Sequence, residues 1–183
     1  MFGLARSRHA PDDRHRGPRR PGRWRPSSRP DHDRPLRRIV AAASGGGHWV
    51  ELLRLRPAFE GLDVVYVSTI ADNATVVPDH RFYSVPDASR FRVKTFAPIM
   101  VRAMAILARE RPFAVVTTGS APMLPFVLLA RLFGARTLWI DSVACTEHLS
   151  TSGRIARRIA HRCIVQSPKV AGKEGLEFWG SVI

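Results

Sequence analysis

From Ile39 onward, short apolar runs alternate with amphipathic stretches, and this alternation constrains the fold more than any other property of the chain. Repeated β-rich and helical periods are the pattern of a parallel sheet with crossover helices. The runs predict strands near 39–43, 64–68, 82–85, 113–118, 137–141 and 163–166. Apolar residues at three- and four-residue spacing predict helices near 49–59, 94–110, 123–133 and 153–162, with Gly61, Pro112, Gly134 and Pro168 as boundaries. The expectation is α/β: a Rossmann-like, doubly wound parallel sheet of about six strands in a single domain. Ligands of such sheets bind beyond the carboxyl ends of the strands, which selects the segments 44–48, 68–73, 117–122 and 141–148.

The first of these segments, Ser44-Gly45-Gly46-Gly47-His48, joins the first strand to the first helix. Glycines let the backbone turn through positive φ and approach a ligand, and the free N–H groups of a helix start suit a phosphate. Ser44, Gly45, Gly46 and Gly47 are therefore phosphate candidates, with a plain tight turn as the alternative. The loop does not fit the dinucleotide fingerprint, because Val50 stands where the third glycine belongs, and no Lys-Ser or Lys-Thr follows as in a P-loop. Asp63 is too weak a ribose ligand to restore a nicotinamide reading. His48 has two readings, a base or phosphate donor and a structural cap.

A second small-residue loop, Thr118-Gly119-Ser120, lacks the glycine pattern of a hydrolase elbow and reads as another oxygen-binding turn. Asp141 ends the strand Leu138-Trp139-Ile140, where it can serve as a cleft carboxylate for a sugar hydroxyl, as a base, or as a loop cap. Cys145, His148, His161 and Cys163 offer no second ligand pair at zinc spacing, so no metal is expected. Two cysteines fit a reducing cytoplasm. Lys94, Arg102 and Arg109 share one face of the predicted helix 94–110. Arg154, Arg157, Arg158 and Arg162 form a stripe on the next predicted charged helix. Each stripe reads either as a solvated face or as a contact with anionic lipid.

Residues 1–37 are rich in arginine, proline and serine, and through Arg38 twelve arginines face four aspartates, more than half of the formal +14. Such a segment cannot bury enough surface to offset chain entropy and is expected to be a disordered tail ahead of a domain at 38–183. It reads as an extension without a role, as an anionic-lipid attachment, or as a non-specific nucleic-acid contact with Trp24 as its one stacking aromatic. No specific nucleic-acid partner is expected. The apolar stretch 121–140 is broken by Arg131, Arg136, two prolines and Gly134, and suits a buried helix and strand better than a membrane span.

Several motifs occur in a familiar order: Ser44-Gly45-Gly46-Gly47-His48 with Glu51-Leu52-Leu53, then Thr118-Gly119-Ser120-Ala121-Pro122, Trp139-Ile140-Asp141-Ser142, Leu149-Ser150-Thr151-Ser152-Gly153-Arg154 and Ile164-Val165-Gln166-Ser167-Pro168. Over about 38–183 the chain resembles the asparagine-linked glycosylation protein 14 family with its bacterial exopolysaccharide and capsule homologues. The resemblance implies the N-terminal, acceptor-side half of a split GT-B glycosyltransferase. A separate C-terminal-half partner would hold most of a nucleotide sugar, a UDP-sugar, and no cofactor is implied. The pair would transfer N-acetylglucosamine, glucose or a similar sugar to a polyprenyl-diphosphate-linked sugar at the cytoplasmic face of a membrane, with Lys94, Arg102, Arg154, Arg157 and Arg158 toward lipid. Phe178, Trp179, Val182 and Ile183 would lie at the partner interface, the alternative for this segment being a final strand tucked into the sheet. His48 and Asp141 become the catalytic candidates, and Thr118, Gly119 and Ser120 join the glycine loop in phosphate and acceptor binding. Eukaryotic members begin with a transmembrane anchor where this chain has its arginine-rich tail, and Asp141 stands in place of a glutamate. The alternative is a non-catalytic scaffold that recruits its partner to the membrane.

Overall fold

The computed structural model describes residues 36–87 and 93–182, the side chains of 93–95 aside. The tail predicted for 1–37 thus falls, but for its last two residues, outside the described part, as do Ile183 and the side chain of Lys94. Seven strands form one sheet: β1 (Arg38–Ala42), β2 (Asp63–Ser68), β3 (Arg81–Ser84), β4 (Ala114–Thr117), β5 (Arg136–Ile140), β6 (Arg162–Val165) and β7 (Glu177–Phe178). Every pairing is parallel and the order is β3-β2-β1-β4-β5-β6-β7. The helices are α1 (Gly47–Arg54), α2 (Val93–Glu110), α3 (Leu124–Leu132), α4 (Thr151–Ile159) and α5 (Pro168–Glu174). Chain direction across the sheet reverses between β1 and β4, which makes that gap the topological switch point.

The two-residue period of the strands sorts their side chains between two cores. Val40, Ala42, Val65 and Val67 face the layer that includes Ile99, Leu107, Phe126 and Val127 of α2 and α3. Ile39, Ala41, Val64 and Tyr66 face Trp49 and Leu52 of α1 and Phe59. At the amino edge of the sheet, Arg38 and Arg81 converge on Asp63 and on Glu110, which is 2% exposed, while Tyr83 Oη donates to Glu110 Oε1 at 2.6 Å.

Several elements differ from the sequence reading, each for a local reason. A seventh strand, β7, adds to the six: the final strand that is the alternative for the chain end is present, but only at Glu177–Phe178 and with both residues exposed. Helix 49–59 stops at Arg54 and continues as a 3-10 turn, Arg56–Phe59, because Pro57 has no N–H to donate back along a helix. Helix 123–133 is preceded by a 3-10 turn at Ala121–Met123 and starts as α3 at Leu124. α4 starts earlier and ends earlier than 153–162, since Ser150 caps it and Ala160 is already extended. Arg162 therefore leaves the predicted basic stripe, opens β6 and pairs with Glu177. Two elements go unmarked by any apolar period: a 3-10 segment at Ala71–Val76 and α5, capped by Ser167 and closed by Gly175 at φ 65°.

Candidate functional site

The loops after β1 and β4 meet at the switch point and are tied by two reciprocal bonds. Thr118 Oγ1 donates to His48 O at 2.7 Å, and His48 Nδ1 lies 2.9 Å from Thr118 O. A carbonyl only accepts, so Nδ1 carries the proton, and in the neutral ring Nε2 holds the lone pair. Gly119, at φ 105°, lies under the imidazole, where a Cβ would stand 3.3 Å from Cε1 and Nδ1.

The three consecutive glycines serve three different ends. Gly45 makes room for Ile70, whose Cδ1 a Cβ would overrun. Ser68 Oγ, which accepts from Asn73 Nδ2 at 2.8 Å, anchors that 3-10 segment beside the loop. Gly46 turns the chain at φ 63°, and its carbonyl accepts from Trp49 N and Val50 N. Gly47 needs neither: its φ is ordinary and no described residue lies within 4 Å of a Cβ built there.

Asp141 is 1% exposed and wholly engaged. Its Oδ2 accepts from Ser150 N at 2.9 Å, and its Oδ1 from Ser150 Oγ at 2.5 Å and Trp139 Nε1 at 3.2 Å. Ser150 Oγ in turn accepts from Gly153 N at 2.8 Å, so the carboxylate positions the start of α4. Gly153 is small because a Cβ there would meet Asp141 Oδ1 at 2.6 Å. To its three readings, as a sugar ligand, a base and a loop cap, these bonds add a fourth role, a brace between the end of β5 and the start of α4.

Beside His48 lies a pocket of about 270 Å³, lined also by Ser120, Ser142, Cys145, Ser150 and Ser152. Glu51, a residue the sequence reading did not single out for the site, organises its back wall. This carboxylate is 5% exposed on α1; its Oε1 accepts from Ser142 Oγ and its Oε2 from Gln166 Nε2, both at 2.8 Å. Gln166 also donates to Asp141 O at 3.0 Å and accepts from Val182 N at 2.9 Å, so the network runs from the pocket to the end of the described chain. The available signal was a carboxylate one turn after His48, between the buried Trp49 and Leu52. Burial, and then the nearby Asp141 carboxylate, pushes the Cys145 thiol up and the Cys163 thiol up to about 12, which keeps both protonated and poorly nucleophilic at neutral pH. Among the described residues no cluster of three or more His, Cys, Asp or Glu is placed to hold a metal.

On the α1 side of the sheet, helix cover among the described residues stops short of β4–β6. An apolar groove of about 490 Å³ runs there over Ile39, Val116, Leu138, Ile140 and Ile164. Trp179 and Val182 line its rim, with Trp179 61% exposed, and Arg54 Nη1 donates to Val182 O at 2.8 Å. Phe178 sits on the edge strand β7, also exposed. On α2, Arg102 is exposed beside Val101 and Met104; on α4, Arg154 and Arg158 flank exposed Ile155. Arg157 is instead paired with Glu174 at 3.0 Å. No helix among the described residues is long and apolar enough to cross a membrane.

A switch-point site on a single seven-stranded parallel sheet among the described residues defines a Rossmann-like α/β domain. The family described as Alg14-like oligosaccharide biosynthesis proteins matches residues 72–182, and the chain belongs to it. Among solved structures it is similar to MurG of Acinetobacter baumannii, at 17% identity and TM-score 0.59 over 73% of this chain and 43% of that one. It is similar to the UDP-N-acetylglucosamine 2-epimerase of Rickettsia bellii at 13% identity and TM-score 0.61, over 80% of this chain and 45% of that one. The Neisseria meningitidis epimerase, solved with UDP-N-acetylglucosamine bound, is 8% identical with TM-score 0.58, over 76% and 43%. At such identities the likeness is one of fold, and the chain spans less than half the length of these structures. No curated protein matches the chain.

Proposed function

We propose that this chain is the acceptor-side half of a two-component GT-B glycosyltransferase acting in oligosaccharide or exopolysaccharide biosynthesis. Its partner, a C-terminal-half subunit, binds a UDP-sugar. The acceptor is a polyprenyl-diphosphate-linked sugar presented at the cytoplasmic face of a membrane. The observation that carries this reading is the joined pair of loops at the switch point, with a tautomer-fixed histidine between them, in a member of the Alg14-like family.

In this reading His48 Nε2 takes the proton of the acceptor hydroxyl as that oxygen attacks the anomeric carbon of the donor sugar. The new C–O bond forms as the bond to the nucleotide diphosphate breaks, and the diphosphate leaves with the electron pair from the opposite face, which inverts the anomeric centre. The Thr118 carbonyl bonded to Nδ1–H orients the ring and stabilises the imidazolium. No described atom lies within 4 Å of a Cβ built at Gly46 or Gly47, which leaves room for a phosphate at the start of α1. The partner seats on the apolar groove over β4–β6, which presents a continuous apolar surface next to Trp179 and Val182. Arg102, Arg154 and Arg158, with the exposed apolar residues beside them, face anionic lipid.

Reconstitution tests this. The full chain alone turns over no UDP-sugar onto a polyprenyl-diphosphate-linked acceptor, and it gains turnover when mixed with the C-terminal-half protein encoded nearest to it. Full turnover by the isolated chain sinks the two-component reading. Unchanged turnover of the assembled pair after His48→Ala leaves the chain as a scaffold.

A further inference from the structure

The two-residue period that sorts side chains between the two cores also sets the charge along the sheet face that carries the apolar groove. Ile39, Leu138 and Ile164 line that groove. Two residues before each, and so on the same face, stand Arg37, Arg136 and Arg162. Register pairs Arg136 with Ala114 and Arg162 with Leu138, so the arginines step across the amino end of the groove. There the groove adjoins a pocket of about 300 Å³, with Ala114, Leu138 and Trp179 lining both.

Among the described residues that line the groove and this pocket are three arginines and no carboxylate. Arg162 is paired with Glu177, and Arg37 lies 4.8 Å from the centroid of the Phe113 ring. For Arg37 and Arg136 no described carboxylate stands within ion-pair distance, and both are exposed. A wholly apolar occupant would strip water from two uncompensated guanidinium groups, whereas one with acidic residues at that end gains charge-assisted hydrogen bonds. A second copy docked by the same face brings the same three arginines. The chain's own residues 1–35 hold ten arginines against four aspartates, so neither complements the row.

We propose that the groove takes an apolar segment of the C-terminal-half partner that carries acidic residues at one end, seated over Arg37 and Arg136. This rests on the two-component reading and adds the chemistry by which the chain selects its partner. Apolar surface beside Trp179 holds the segment, and the arginine row sets its direction and speeds its association.

Surface plasmon resonance of the full chain against the C-terminal-half protein encoded nearest to it tests this at low salt and at about 1 M salt, where charges are screened beyond about 3 Å. The variants are Arg136→Glu, the double variant Arg37→Glu with Arg136→Glu, and Trp179→Ala. All three side chains are exposed, so each variant melts like wild type. At low salt the double charge reversal weakens binding about tenfold, chiefly through slower association, with Arg136→Glu in between, and at high salt the difference closes. Trp179→Ala weakens binding at both salts. Charge reversal without effect at low salt overturns the proposal, and a loss of equal size at both salts overturns it in favour of a packing contact. A charge effect without any effect of Trp179→Ala puts the acidic residues outside the groove and overturns it as well. A free chain that sediments as a dimer, dissociated by Trp179→Ala, overturns it in favour of a second copy. A wild type that binds the C-terminal-half protein at neither salt strikes the two-component reading itself.

Discussion

His48 illustrates how much one side chain's role depends on its neighbour. A histidine at a helix start is ambiguous until the Thr118 carbonyl takes Nδ1–H and leaves Nε2 as the basic nitrogen. His48→Gln should therefore lower kcat of the assembled pair by about 10²–10⁴ with a much smaller change in acceptor KM. An effect confined to KM would assign the ring to binding. The glycines divide in the same concrete way. Gly47→Val adds atoms at an ordinary φ where no described residue lies within 4 Å of a Cβ, so it should leave the melting temperature within a few degrees while abolishing turnover. Normal activity would remove the glycine loop from the site. Gly153→Ala, by contrast, drives a methyl into the Asp141 carboxylate and should cost about 1–3 kcal/mol of stability in urea titration.

At the level of elements, polar clusters hold the two edges of the sheet. The amino-edge cluster joins β1, β2, β3 and α2 through Arg38, Asp63, Arg81, Tyr83 and Glu110. Burial would raise the Asp63 carboxyl, but the bonds from Arg81 and Arg38 outweigh it and hold it below its ordinary value. A depressed carboxyl stabilises the fold above its unfolded value, and that contribution is lost as pH falls through the folded one. The hydrogen bond to Glu110, and then burial, raises the Tyr83 phenol. Its contribution is complete below the unfolded value of about 10 and is lost as pH rises through the folded one. Unfolding free energy against pH should fall at both extremes in the wild type. Asp63→Asn should flatten the acid limb and Tyr83→Phe the alkaline limb. An acid limb of unchanged slope in Asp63→Asn would show that the cluster does not govern acid stability. At the carboxyl edge, Glu51 ties α1 to the loops after β5 and β6. Removing it by Glu51→Ala strands Ser142 and Gln166 and should cost about 1–3 kcal/mol.

The whole domain presents an unequal pair of faces. α2, α3 and α4 cover one side of the sheet, while on the other α1 leaves an apolar groove over β4–β6. If the partner docks there, Trp179→Ala should weaken assembly at least about tenfold without lowering the melting temperature, because the ring is exposed in the free chain. Assembly of unchanged affinity would place the partner elsewhere. The exposed Val101 and Met104 beside Arg102 make a second surface for test. The full chain should float with anionic vesicles at low salt and largely release at high salt. Failure to float at either salt would leave those arginines as solvated positions.

Much of this was legible in the order of residues alone. Apolar periodicity determined the parallel α/β sheet, and small residues after β1 and β4 marked the loops that meet at the switch point, because local backbone preference and side-chain period act over a few neighbours. The motif order pointed to the family. Tertiary structure decided the rest, since burial and partners come from residues far apart in the chain. It set His48 on a carbonyl 70 residues away. It committed Asp141 to the start of α4, drew Glu51 into a network reaching Val182, and left a groove where no local pattern announces that a strand face has no described helix over it. Whether a carboxylate is a base or a brace depends on what surrounds it, and only the packed chain supplies those surroundings.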